Sequence, residues 1–339
     1  MNIINAFDYV DTHLESAPFR IITSGIPTLY GETMAEKMQY MADHYDWMRK
    51  RIMGEPGGKR AMVGAVLTEP VHKEADFGVF YMDDLTYQPM CGAGSLAVTN
   101  AVVQLGMVPV VEPVTSIVFD TPAGLIKTYA TVENAEVKKV TLENVPSFLY
   151  AKDVKVPVEG VGEVTLDIGF GGNFFALVDV EPLNIEIKPE SREILGSLAM
   201  KIIAEINRTI KVQHPENPAI NYLDQLMWCQ EPKEEGGHFI GQCVYSACKL
   251  DDSPCGTGTC TKMARMYARG RLGLNEPFLH DNNINPTVKT FEGVLYGTTK
   301  VGDYDAVLPR VSSMNTEIIG FGKLVVTKND KYREGFVGV

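Results

Sequence analysis

Two short stretches constrain this chain more than any other feature. They are 90-MCGAGS-95 and 251-DDSPCGTGTC-260, each a cysteine followed by Gly-x-Gly and a small hydroxyl residue, 164 residues apart. Each is entered from an apolar, β-rich run, 77-FGVFYM-82 before the first and 239-FIGQCVYSA-247 before the second. Each is followed by a helical pattern, 95-SLAVTNAVVQLGM-107 and 259-TCTKMARMYARGRL-272. The order of strands, glycine loop and helix therefore occurs twice, as in two copies of one plan. At 339 residues the chain also has the length of two domains.

The remaining pattern fits that division. Residues 34–53 carry apolar side chains at helical spacing and end at the breaker 54-GEPGG-58, and a second amphipathic helix is expected over 191–210. Strand-like runs fill 62–68, 116–121, 137–145, 164–172, 174–180 and 316–327. The prolines at 109, 113 and 122 mark the expected hinge. The expected domains are therefore 1–122 and 123–315, with the terminal segment 316–339 returning to the first.

A formal charge of −12 argues against nucleic acid or an anionic membrane as partner. No apolar run approaches the roughly 20 residues of a membrane span, and Asp8 and Asp11 stand where a signal peptide would be apolar, so a cytoplasmic location is expected. Six cysteines in a chain of this size do not form a disulfide framework and are expected as thiols. Cys243, Cys248, Cys255 and Cys260 follow a C-x4-C-x6-C-x4-C spacing. On the expected strand, however, Cys243 and Cys248 point to opposite faces, and Cys260 lies about 140° around the helix from Cys255. This reading predicts no metal site and assigns Cys229, Cys243, Cys248 and Cys260 to packing. Neither glycine element has the spacing or lysine of a nucleotide loop, no lysine setting suggests pyridoxal phosphate, and no cofactor is expected.

A cysteine at the first turn of a helix meets unpaired N–H groups and the positive end of the macrodipole, which favour its thiolate. The glycines leave amides free to hold a carboxylate. Two such elements facing a carbon acid could remove a proton from one face and return one to the other, which inverts the centre.

The motifs resemble those of the proline racemase family, which includes hydroxyproline epimerases and is related to diaminopimelate epimerase. Further matching segments are 11-DTH-13, 25-GIPTLYG-31, 75-ADFGVFYMD-83, 109-PVVEPVTSIVFDTPAG-124, 167-DIGFGGNFFA-176 and 212-VQHP-215. The resemblance implies an α/β (α+β) fold of two similar domains, each a mixed or antiparallel sheet wrapped around a central helix, with the active site in the cleft between them. It implies that Cys91 and Cys255 are the acid/base thiols. Gly92, Ala93, Gly94, Gly256 and Thr257 become carboxylate donors, and Asp251 an acceptor for the substrate amine. A small amino acid is the implied substrate and a homodimer the implied assembly.

Several positions depart from the family pattern. Ala93 stands where the family has histidine, and Val63 replaces a pocket phenylalanine. Leu14-Glu15-Ser16-Ala17 and Gly57-Gly58-Lys59 differ from the usual sequences, and Asp252 takes the place of arginine. These changes remove bulk and one polar partner, so a substrate other than proline is expected. The alternatives are a dehydratase of a hydroxyproline-like substrate, against which the retained Cys255 counts, and a catalytically silent amino-acid binder.

Overall fold

The computed structural model describes residues 2–284, 287 and 289–337. It divides into two compact units, 1–142 with 314–339, and 143–313. The first carries β1 (Ile3–Leu14), β2 (Ala17–Ser24), α1 (Met34–Met53), β3 (Val63–Thr68), β4 (Phe77–Met82), β5 (Tyr87–Gln88), α2 (Gly92–Gln104), β6 (Val114–Thr121), β7 (Gly124–Glu133) and β8 (Glu136–Glu143). The second carries β9 (Ser147–Val158), β10 (Gly162–Phe170), β11 (Phe174–Asp179), α3 (Arg192–Thr209), β12 (Leu223–Gln230), β13 (Phe239–Tyr245), β14 (Lys249–Leu250), α4 (Gly256–Ala268), β15 (Phe278–Asn282), β16 (Lys289–Val301) and β17 (Tyr304–Ser313). The last strand, β18 (Thr316–Thr327), pairs antiparallel with β1.

The first unit runs on to Leu142, so the expected boundary at 122 is displaced by two strands. The stretch taken as a hinge enters β6, which lies parallel to β4 and antiparallel to β7 within the same unit. Prolines 109 and 113 precede this strand, and Pro122 follows it in the turn to β7.

Strand pairing follows the same order in both units. In the first it runs β18-β1-β2-β3-β4-β6-β7, with parallel steps at β2–β3 and β4–β6 and antiparallel steps elsewhere. In the second it runs β9-β10-β11-β12-β13-β15-β16-β17, with parallel steps at β11–β12 and β13–β15. β17 then pairs with β9 and closes the ring. The parallel steps have a physical cause, since each spans a crossover that contains a helix, α1 or α3 at the first step and α2 or α4 at the second.

The two crossover helices at the second step are the interior ones. Every residue of α2 from Gly92 to Val103 is buried, and its neighbours include β1, β2, β3, β7 and β18. A helix buried on all sides, with Ser95, Thr99 and Asn100 as its buried polar residues, needs such a surround. α4 is buried from Gly256 to Met266 although it carries Lys262 and Arg265. Those charges have partners: Arg265 binds Asp167 and Asp179, and the Lys262 ammonium donates to the Ile240 carbonyl at 2.9 Å. No helix among the described residues is long and apolar enough to cross a membrane.

Candidate active site

Each interior helix begins directly after a cysteine. Cys91 is the N-cap of α2 in extended backbone (φ −140°, ψ 108°), and its Sγ accepts the Gly94 N–H at 3.3 Å. The first amide bonded within the helix is that of Ser95, to the Cys91 carbonyl at 2.8 Å. Gly92 and Ala93 therefore lie ahead of the helical ladder, where N–H groups are available to an anion. Gly94 is required sterically, because a Cβ there would lie 2.7 Å from the Tyr81 ring and 3.2 Å from the Cys91 sulfur. Tyr81 is itself fixed by a 2.6 Å bond between its hydroxyl and Ser95, and burial holds its phenol above the ordinary range.

The second element repeats the arrangement with a different cap. Cys255 precedes α4 with φ +66°, a left-handed conformation that costs a non-glycine residue about 1–3 kcal/mol and concentrates at functional sites. Its side chain makes no cap bond; the Sγ lies 3.8 Å from the Thr257 hydroxyl. The Thr259 amide closes the first helical bond on the Cys255 carbonyl at 2.8 Å, which leaves Gly256, Thr257 and Gly258 ahead of the ladder. Thr259 also places its hydroxyl on that carbonyl at 2.7 Å and on His280 Nδ1 at 2.7 Å. Burial, then Lys262, holds His280 well below its ordinary pKa, so this histidine is neutral.

Asp251 and Cys255 are joined through Ser253. Asp251 accepts the Ser253 amide at 2.8 Å and the Ser253 hydroxyl at 2.9 Å, while the Ser253 oxygen accepts the Cys255 amide at 3.1 Å. Asn282 anchors the loop by donating to the carbonyls of Asp251 and Ser253, and Lys289 donates to that of Asp252. Burial pushes the Asp251 carboxyl up to about 6, against the two Ser253 bonds that pull it down.

One expectation is corrected here. Cys243, assigned to packing, lies beside the second thiol: its Sγ, the Cys255 Sγ and an Asp251 carboxylate oxygen are all within 4.8 Å of one another. The β13–β14 hairpin brings this about, with the Asp251 amide donating to the Cys243 carbonyl at 2.9 Å. Burial, and then Cys255, raises the Cys243 thiol well above its ordinary range. Cys248 is not on a strand at all; it ends a tight turn in which Ser246, Ala247 and Cys248 have positive φ. Cys229 and Cys260 are buried, and burial raises both thiols.

Elsewhere the expected positions divide plainly. Val63 is buried in β3, Lys59 and Arg60 are exposed, and Phe170, Phe174 and Phe175 are core. The Asp-x-Ser spacing at 251–253 was a turn signal that could have indicated the role of Ser253.

Each unit thus carries a cysteine at the N-terminal end of an interior helix, with backbone amides ahead of the helical ladder beside it. The class is that of isomerases that racemise or epimerise amino acids. The chain belongs to the proline racemase family, whose model matches residues 9–337. It is 40% identical over 328 residues to the proline racemase of Acetoanaerobium sticklandii, covering 96% of this chain and 97% of that one. It is 34% identical over 337 residues to the trans-3-hydroxy-L-proline dehydratase of Bacillus cereus, covering 99% of each. Its fold matches the crystal structure of a hydroxyproline epimerase from Agrobacterium vitis with bound trans-4-hydroxy-L-proline. The TM-score is 0.94, with 29% identity, and the match covers 99% of this chain and 96% of that one.

Proposed function

We propose that the protein inverts the α-carbon of a free amino acid by a two-base mechanism without a cofactor, with Cys91 and Cys255 as the two acid/base groups. The observation that carries this reading is the repeated design, a thiol at the mouth of a buried helix in each unit. One thiolate takes the α-proton, and the thiol of the other element delivers a proton to the opposite face. In the reverse direction the roles exchange. The amides of Gly92, Ala93, Gly94, Gly256 and Thr257 hold the substrate carboxylate and stabilise the negative charge that spreads onto it as the proton leaves. Gly94 does so only if its N–H turns from the Cys91 sulfur that it meets in this structure. Asp251 accepts the substrate ammonium group, and Ser253 fixes the carboxylate for it.

The substrate is an amino acid other than proline. Supporting this are Ala93 and Val63, both small, at positions where the family pattern has His and Phe. The test is α-proton exchange in D2O, followed by NMR on the reduced protein with L- and D-amino acids, including proline, both hydroxyprolines and acyclic types. Exchange with inversion of an acyclic substrate, faster than with proline, is expected. Proline turnover as fast as any other would overturn the substrate assignment. Loss of the β-hydroxyl from 3-hydroxyproline without inversion would replace racemisation by elimination.

A further inference from the structure

We propose that Cys243, Cys255 and Asp251 form a binding site for a thiophilic divalent cation such as Zn2+, and that its occupation blocks the enzyme. Two thiol sulfurs and a carboxylate oxygen within 4.8 Å of one another are a zinc-type donor set with a fourth position left for water or substrate. Zn–S bonds of about 2.3 Å in a tetrahedron put two sulfurs about 3.8 Å apart. The trio thus needs only a small contraction, within reach of rotamer adjustment. The surroundings hold two of the donors in place: Cys243 is 1% exposed on β13, and Asp251 is fixed through Ser253 and through its own amide on the Cys243 carbonyl. The donors come from one strand and one loop of a single unit, so the site is complete within it.

The balance is simple. One cation displaces one proton from each thiol and joins the existing carboxylate, so two protons are released and two sulfur–metal bonds form. Thiolate donors select Zn2+, Cd2+ or Co2+ over Mg2+ and Ca2+. The bound metal occupies the Cys255 lone pair needed for proton transfer and the Asp251 oxygen that receives the substrate amine. The blocking effect rests on the proposed function; the binding does not.

Co2+ is the probe, added to the reduced, chelator-stripped full-length protein, and the readout is its sulfur-to-cobalt charge-transfer band. The wild type and Cys260→Ala are expected to show the band and to lose it to stoichiometric Zn2+. Cys243→Ala, its fold checked by circular dichroism, is expected to lack it. In the exchange assay, Zn2+ should suppress wild-type turnover at least tenfold, reversibly with EDTA, while Cys243→Ala stays active and resists the metal. The proposal is overturned by no band in the wild type, or by a band that survives Cys243→Ala but is lost in Cys91→Ala. A band that needs Cys243 and Cys255, in a protein that exchanges no α-proton, would support the metal site while refuting the racemase reading.

Discussion

The third residue after each cysteine is glycine, and replacing each by alanine separates two kinds of obstacle. At Gly94 the added methyl would meet the Tyr81 ring at 2.7 and 2.9 Å, and that ring is fully buried and tied to Ser95. At Gly258 it would meet the terminal methyl of Met227 at 2.2 Å, the end of a flexible side chain. Overpacking against fixed neighbours costs about 1–3 kcal/mol, and alanine returns up to about 1 kcal/mol of helix propensity. Gly94→Ala should therefore lose about 1–2 kcal/mol net, and Gly258→Ala should lie within about 1 kcal/mol of wild type, because Met227 can swing aside. Both methyls also crowd a sulfur proposed to carry the proton transfer, at 3.2 Å from Cys91 and 3.1 Å from Cys255, so both variants should lose α-proton exchange. Urea unfolding and the exchange rate are the measurements. A Gly94→Ala protein as stable as wild type, or a Gly258→Ala protein less stable than the Gly94→Ala protein, would refute this steric reasoning.

Other substitutions give further checks. Asp251 has a carboxyl raised from its ordinary 3.8 to about 6, so the folded state holds more protons than the unfolded between those values, and stability falls as pH rises through that window. Asp251→Asn should be more stable than wild type by about 1–2 kcal/mol at pH 8 and equal to it at pH 4, with KM for the amino acid raised. Thr259→Val leaves the buried His280 without its Nδ1 partner and should cost about 1–3 kcal/mol in urea unfolding. Asp167 is buried between Arg265 and Arg269; burial works to raise its pKa, but the Arg269 and Asp153 bonds and nearby Arg265 hold it below the ordinary carboxylate range. Removing it as Asp167→Ala should cost about 1–3 kcal/mol, because both arginines lose a shared partner while Arg265 keeps Asp179 and Arg269 keeps Asp153.

The parts of this molecule written locally were legible. A cysteine followed by Gly-x-Gly announces a helix start, and α2 and α4 begin at Gly92 and Gly256. The amphipathic pattern over 34–53 marks α1, although the non-helical backbone at Tyr45 leaves no trace in that pattern. What depends on distant pairing was not legible. Prolines 109, 113 and 122 read as a hinge because their own backbone preferences are visible and the partners of β6 are not. Cys243 reads as packing because alternation along one strand sorts faces without saying what the returning hairpin lays against them. The distance from Cys243 to Cys255 is set by the β13–β14 turn and by Ser253, and neither appears in a cysteine spacing.

The most direct test of the two-thiol account is isotope partition at early conversion in D2O. With the preferred substrate, the account predicts that product of inverted configuration carries deuterium at the α-carbon while recovered substrate remains protiated, and that neither Cys91→Ser nor Cys255→Ser forms the product. Inverted product that retains the original protium, or inversion that persists in either variant, would show that one base serves both faces and contradict the account.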